Sequence, residues 1–274
     1  MVLTSPSVAG AIEAAEAHHL RQQVQTWRAL GAADAHVVEI AGGVAAFTER
    51  LFGRKLNHVT GLGMNGPVDA GALGSLEAAY AARGLGVEID LCPHAVASLL
   101  PLLAGRGYAV NAFSNTYART LDDVPERRDG IEVLQGTEAD ELFVEASIGG
   151  FSVQADKRPR DLLAALARIA RARADTALFV ARIGGQVAGS AGLSIADTPL
   201  GLVGELYIAS TLPEFRGRGV QTALLRSRLA AAKAAGCALA VVMARPANTS
   251  ARNTERAGFR LAFTKATFAR PLAS

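Results

Sequence analysis

The amino-acid sequence predicts an α/β (α+β) protein whose chain is organised as two related halves. Short apolar runs alternate with stretches carrying apolar residues at three-to-four spacing, the pattern of strands interleaved with helices. A hairpin signature occurs twice: the apolar run 37–40 with Gly42-Gly43 and a return run, then 178–181 with Gly184-Gly185 and 187–189. Glycines mark such turns because they accept the positive φ that a tight two-residue connection requires. A third echo joins the ends of the halves. Gly107-Tyr108, Phe113 and Tyr117-Ala118-Arg119 recur as Gly258-Phe259, Phe263 and Phe268-Ala269-Arg270, and both Gly107 to Gly258 and Tyr117 to Phe268 span 151 positions.

The polar stretch 121–129, with Asp122, Asp123, Pro125, Glu126, Arg127, Arg128 and Asp129, reads as a connector. It divides the chain into an N-terminal half, 1–124, and a C-terminal half, 130–274. In the second half 131–134 is expected as a short strand. Thr137-Glu138-Ala139-Asp140 then starts a helix whose acidic first turn complements the helix dipole. Pro159 opens a helix to about residue 174, because its locked φ suits the first helical position. After the hairpin come a strand at 202–210, a helix at 220–235 with Val220, Ala223, Leu224 and Ala231 on one face, and a strand at 239–243. A short helix at 250–257 and closing strands at 259–263 and 267–268 complete the half.

The chain has 274 residues, half of them apolar, 19% charged and 5% aromatic, which is enough to bury a sizeable core. A net charge of +3 without any run of five or six like charges gives no sign of a nucleic-acid tail. Cys92 and Cys237 stand far apart in apolar stretches and read as buried thiols of a reducing compartment. The histidines, including His18-His19, have no metal-ligand spacing, so no metal is expected. The N-terminus lacks a secretory pattern, and the longest apolar run, around 95–104, is too short to span a bilayer. A cytoplasmic location away from membranes is therefore expected, and the sequence is compatible with a homodimer.

The most informative segment is Pro213-Glu214-Phe215-Arg216-Gly217-Arg218-Gly219-Val220-Gln221-Thr222, between a strand and a long helix. A helix N-terminus presents unpaired N–H groups and the positive end of the dipole. Gly217 and Gly219 let a phosphate approach the backbone, Arg216 and Arg218 add charge, and Thr222 adds a hydroxyl. The loop is neither a Walker A motif nor Gly-x-Gly-x-x-Gly. Alone, Arg-Gly-Arg-Gly reads equally as a pyrophosphate cradle or a solvated turn. The matching junction of the first half, 61–69, places Asp69 at a helix start, where a carboxylate stabilises the helix and repels phosphate.

In context, strand, Leu-Pro-Glu-Phe-Arg-Gly-Arg-Gly-Val and amphipathic helix resemble the acetyl-CoA motif of the GCN5-related N-acetyltransferase (GNAT) superfamily. Asn248-Thr249-Ser250-Ala251-Arg252-Asn253-Thr254-Glu255-Arg256-Ala257-Gly258-Phe259 resembles its second motif. The resemblance covers about 132–270, and the echo makes the first half a diverged, degenerate copy without a CoA loop. It implies tandem acetyltransferase-like halves, each a mixed twisted sheet flanked by helices, with two neighbouring strands splayed apart at one end. It further implies that acetyl-CoA lies in that gap, its pantetheine along the strand ending at Ser210 and Thr211. Its pyrophosphate would meet Arg216 and the N–H groups of Gly217, Arg218, Gly219, Gln221 and Thr222, while Asn248 would contact the cofactor or brace the strands. Gln221 departs from the small residue usual there. Thr254 stands where many members carry a tyrosine that protonates the leaving thiolate, and a threonine hydroxyl is a much poorer acid.

The activity so implied is acetyl transfer from acetyl-CoA to a primary amine of a small molecule or peptide. Strand alternation puts Glu205 and Tyr207 on one face with Val203 and Ala209. Glu205 is read as a general base or as a strand-edge residue paired to an arginine, and Tyr207 as a proton donor or a packing residue. A non-catalytic acyl-CoA sensor is the alternative, motivated by Thr254.

Overall fold

The computed structural model describes residues 2–124, 130–152 and 159–272. They divide into two compact units, and neither is continuous in sequence. One comprises Val2–Thr116, Ala244–Pro246 and the chain from Leu261 onward; the other comprises Tyr117–Met243 and Ala247–Arg260. The chain thus changes unit near residue 117, on either side of 244–246 and near residue 260, and not at the polar connector. The expected connector is described as far as Val124; residues 125–129 lie outside the described residues.

The unit holding the N-terminus begins with α1 (Pro6–Ala29), whose N-cap Ser5 accepts a hydrogen bond from the Val8 N–H and whose first residue is proline. Strands β1 (His36–Ile40) and β2 (Gly43–Phe47) form an antiparallel hairpin. Its turn is Ala41-Gly42, both at positive φ (45° and 88°), one residue earlier than the double glycine suggests. Gly43 instead lets β2 approach the next strand, since a Cβ there would lie 2.1 Å from the Thr60 carbonyl oxygen. The unit continues with β3 (Val59–Thr60), α2 (Ala70–Ala81), β4 (Val87–Leu91), α3 (Leu99–Gly105) and β5 (Ala109–Thr120), which leaves the unit at Tyr117. β2 and β3 are antiparallel, β3 and β4 parallel. Phe47, Leu73, Leu76, Tyr80, Ile89 and Leu103 form the centre of its core.

The second unit contains β6 (Glu132–Leu134), α4 (Thr137–Phe151), α5 (Arg160–Ala172), β7 (Thr176–Ile183), β8 (Gln186–Thr198), β9 (Gly201–Thr211), α6 (Val220–Ala234), β10 (Leu239–Ala244) and α7 (Thr249–Arg256). Its sheet runs β10-β9-β8-β7-β6. Neighbours are antiparallel except β9 and β10, which are parallel, so the sheet is mixed. α4 and α5 cover β7 through Ala139, Phe143, Ala167, Ala170, Leu178 and Val180. The β7–β8 turn is Gly184-Gly185 at φ 59° and 78°.

The two closing strands expected at 259–263 and 267–268 are one strand, β11 (Arg260–Arg270), and from Leu261 it belongs to the N-terminal unit. There Ala266–Arg270 pairs antiparallel with Val87–Leu91 of β4. Lys265 is buried on that strand, where its ammonium donates to Glu13 (3.0 Å), Glu16 (2.8 Å) and Thr60 (2.9 Å). Arg270, Arg106 and Tyr108 all donate to Glu77 of α2. Their hydrogen bonds pull the Glu77 carboxyl down to about 2.

The Gly107/Gly258 echo has a structural meaning. Each glycine follows a helix in the left-handed region, φ 79° after α3 and φ 83° after α7. The next N–H reaches back to the helix, Tyr108 to Leu103 O (3.1 Å) and Phe259 to Thr254 O (3.3 Å). Both are Schellman-type stops, which require a residue without a Cβ penalty at positive φ.

Candidate functional site

β9 and β10 pair over three positions only, Val203↔Leu239, Gly204↔Ala240 and Glu205↔Val241. Beyond them β9 continues to Thr211 and β10 to Ala244 without facing each other in register, so their parallel pairing ends at Glu205 and leaves backbone groups on that edge of β9 for another partner. On the other edge of β9 the register to β8 shifts: Gly192 faces Tyr207, but Ser190 faces Ser210. The additional β9 residue is accommodated by Ile208 in the left-handed region, φ 46°. For a β-branched residue that conformation is costly, which marks a bulge held by its surroundings.

The bulge corrects one expectation. Simple alternation puts Ala209 on the face of Glu205 and Tyr207, but the shift turns Ser210 to that face instead. Ser210 is buried, its hydroxyl 3.3 Å from Ser190 Oγ. Above it passes Gly150 of α4, where a Cβ would lie 2.2 Å from Ser210 Oγ. A glycine pair inside a helix, Gly149-Gly150, was the available sequence signal for this close approach. No pattern pointed to Ser190.

From Thr211 the chain makes a short 3-10 turn, Pro213–Phe215, and enters α6 through Gly217 (φ 74°) and Gly219 (φ 85°). Gly219 is the N-cap; no side chain caps this helix end and no acid occupies its first turn. The first intrahelical bond is Ala223 N–H to Gly219 O (3.0 Å), so the N–H groups of Val220, Gln221 and Thr222 are left for an outside acceptor. Arg216, Gly217, Arg218, Gly219 and Thr222 are exposed and Gln221 half-buried. The Arg218 guanidinium lies 5.3 Å from the Phe215 ring centroid, which directs it along the loop. α2 contrasts with this: Asp69 caps it, accepting from Ala72 N–H at 2.7 Å. One helix end is open to an anion and the other is closed by a carboxylate.

Glu205 is buried at the last position of β9 that pairs with β10, opposite Ser194 on β8, and acts electrostatically on Arg173 and Tyr207. The Arg173 side chain, fully buried, donates to both Asp175 oxygens (2.9 and 2.7 Å) and lies 5.6 Å from the Tyr207 ring centroid. The Tyr207 hydroxyl is 2.9 Å from Thr176 Oγ1. Burial pushes its phenol up to about 12, against the opposing pull of Arg173 and Thr176. Such a phenol is a weaker acid than a thiol, which favours the packing reading of Tyr207. Arg173 and Asp175 had no sequence signal, although the arginine neighbour of Glu205 was one of the two readings of that residue.

Asn248 caps α7, its side-chain oxygen accepting from Ala251 N–H at 2.7 Å. Thr254 is buried on the inner side of the same helix. Cys92 and Cys237 are free and buried. One group among the described residues, Glu16, His58 and Asp90 of the N-terminal unit, brings possible metal-ligand atoms within 4.8 Å of one another. Its carboxylates are already engaged by cations, Glu16 by Lys265 and Asp90 by Arg54, so an added metal would meet two fixed positive charges. No helix among the described residues is long and apolar enough to cross a membrane.

Residues 140–259 match the family model described as Acetyltransferase (GNAT) family. The matched stretch, under half of the chain, is similar to a GNAT acetyltransferase domain. It contains β7 to β10, the bulge, the loop and α7, which together form the features above. Among solved structures, a GCN5-related N-acetyltransferase from Kribbella flavida matches with a TM-score of 0.63 and 18% identity, over 93% of this chain and 95% of that one. A tandem GNAT protein from the clavulanic acid biosynthesis pathway matches with a TM-score of 0.52 and 15% identity, over 73% of this chain and 71% of that one. At these identities the likeness concerns the fold. No curated protein matches the chain significantly.

Proposed function

We propose that this GNAT-like stretch binds acetyl-CoA and transfers its acetyl group to a primary amine of a small molecule or peptide. One observation carries this reading: β9 loses its parallel partner after Glu205 and leads directly into a glycine-shaped, uncapped helix N-terminus. The edge of β9 that faces β10, beyond Glu205, suits the amide-rich pantetheine, while its other edge stays paired with β8. Gly217, Arg218, Gly219, Gln221 and Thr222, with Arg216, suit the pyrophosphate. Asn248 acts at one remove, by fixing the start of α7.

Acetyl transfer requires a neutral amine, a polarised thioester carbonyl and an exit for the thiolate. Glu205 is the carboxylate placed to take the amine proton, directly or through water. A backbone N–H at the bulge or near Thr211 donates to the carbonyl oxygen as it gains charge. Thr254 and Tyr207 are both poor acids, so the thiolate leaves unprotonated or takes its proton from water. The same two residues favour a second reading, an acyl-CoA sensor without turnover.

The N-terminal half, 1–124, is the proposed degenerate copy. Both halves of the sequence run hairpin, strand, helix, parallel strand, helix and closing strand, β5 in the first and β11 in the second, and both stop their last helix at a left-handed glycine. Asp69 at the tip of α2 supports an empty first half.

Calorimetry with acetyl-CoA, followed by thiol release over an amine panel, tests both readings. One molecule bound per chain with turnover supports the enzyme. Binding without turnover on any amine supports the sensor, and no binding overturns both.

A further inference from the structure

Among the described residues the largest fully buried side chain is an arginine, Arg228, on α6. Its neighbours along the buried side of that helix are Leu224, Leu225, Leu229 and Ala232. Among the described residues no carboxylate pairs with it. Nε donates to Leu224 O, one turn back (3.1 Å), and Nη1 to Gly192 O (3.3 Å). Burial pulls the guanidinium down to about 9, so it stays charged at neutral pH while no opposite charge compensates it. A leucine or methionine would cover the same surface without that cost, since removing a buried charge in favour of apolar packing is often neutral or stabilising. The fold of α6 therefore does not explain the arginine.

Gly192 supplies an explanation. It stands at the register shift between β8 and β9, directly opposite Tyr207 and next to the left-handed Ile208. A Cβ there would lie 2.9 Å from the Tyr207 ring and 3.1 Å from Ile208 Cγ2, so the bulge closes tightly over this glycine. The helix that carries Arg228 also carries the phosphate loop at its other end. Val220 lies against Gly189, where a Cβ would lie 2.9 Å from Val220 Cγ1. α6 therefore meets β8 at Gly189 and at Gly192, on either side of the shift.

We propose that Arg228 is a positioning residue for the acyl-CoA site, tying the Gly192 carbonyl to α6 so that the bulge and the phosphate loop keep one fixed spacing. This rests on the acyl-CoA reading of that site. A single ligand must meet the β9 backbone and the α6 N-terminus together, and a charge-assisted hydrogen bond to a carbonyl is the stronger kind of tie. Arg228 touches neither ligand nor reacting atoms.

The test compares Arg228→Met and Arg228→Lys with the wild-type chain in three measurements. Arg228→Met should melt at or above the wild-type temperature. Its KM and Kd for acetyl-CoA should rise about 10-fold, as expected for losing one charge-assisted hydrogen bond, with kcat changed much less. Arg228→Lys should recover part of the affinity. In ligand-free protein, hydrogen exchange at the amides of 190–192 and 207–211 should quicken in Arg228→Met, with α7 unchanged. Wild-type affinity in Arg228→Met, unchanged exchange at the bulge, or an unfolded Arg228→Met would each overturn the proposal. Absence of acetyl-CoA binding in the wild-type chain would instead overturn the acyl-CoA reading, and exchange at the bulge would still decide whether Arg228 holds it.

Discussion

Gly219 and Glu205 make different demands. Gly219 holds φ 85° at the mouth of α6. Any side chain there meets the left-handed penalty of about 1–2 kcal/mol, and a carboxylate adds repulsion toward a diphosphate. Gly219→Asp should therefore abolish acetyl-CoA binding by calorimetry while the chain stays folded by circular dichroism. Glu205 is tested by turnover rather than binding. Glu205→Gln should lower kcat by about 10²-fold, the usual range for losing a general base, with acetyl-CoA affinity little changed. Thr254→Val should matter far less. Near-normal turnover in Glu205→Gln would mean that the amine arrives neutral and that the domain works mainly by positioning. Glu77 belongs to stability. Its carboxyl titrates lower in the folded chain than in the unfolded one. Its contribution is present above the ordinary carboxylate range and is lost as pH falls through about 2. Glu77→Gln should lower the melting temperature at pH 7 and narrow its gap to wild type progressively in acid.

At the scale of elements, most strands and helices of the second half were legible, because their apolar periodicity coincides with strong punctuation: Pro159, Gly184-Gly185, Gly217 and Gly219, and Gly258. The helix stops at Gly107 and Gly258 were visible as an echo before their shared geometry was known. Three features were not legible, and each depends on what a residue meets across space. The bulge at Ile208 has no local signal, since a β-branched residue is a poor marker of positive φ. Gly192 looks like any small residue in a strand until Tyr207 and Arg228 are seen on either side. The continuity of β11 was hidden by Lys265, which breaks the apolar run but is buried against Glu13 and Glu16. Lysine reads as exposed in sequence because its two carboxylate acceptors lie about 250 positions away. The ammonium is what makes those acceptors tolerable. Burial raises the Glu13 carboxyl and the neighbouring Glu16 raises it further, against the pull of Lys265. Lys265→Met should destabilise the chain by about 3–5 kcal/mol, the range for breaking one side of a buried pair. A carboxyl raised by folding loses its contribution as pH rises, so the deficit measured by urea unfolding should be larger at pH 8 than at pH 5.

At the scale of the molecule, the units are not the two contiguous halves, and truncation should expose this. Trp27 is the single tryptophan and lies in the N-terminal unit. A chain ending at Arg260 leaves β4 without its β11 partner, Glu13 and Glu16 without their lysine, and Glu77 without Arg270. Its Trp27 emission should shift toward that of the unfolded chain. A fragment beginning at Gly130 keeps the loop and the bulge but carries β11 with no strand to pair, and should be poorly soluble. Native-like Trp27 emission in the shortened chain would contradict the assignment of β11.

The exchange of β11 also sets an order in time. β4 is synthesised about 180 residues before the β11 segment that pairs with it. At about 5–20 residues per second the interval is on the order of 10–30 s. Throughout it, the buried acids of α1 and the open edge of β4 wait without their partners, while all of β6 to α7 is synthesised. The unit whose first strands are translated early is thus completed only by a strand translated much later.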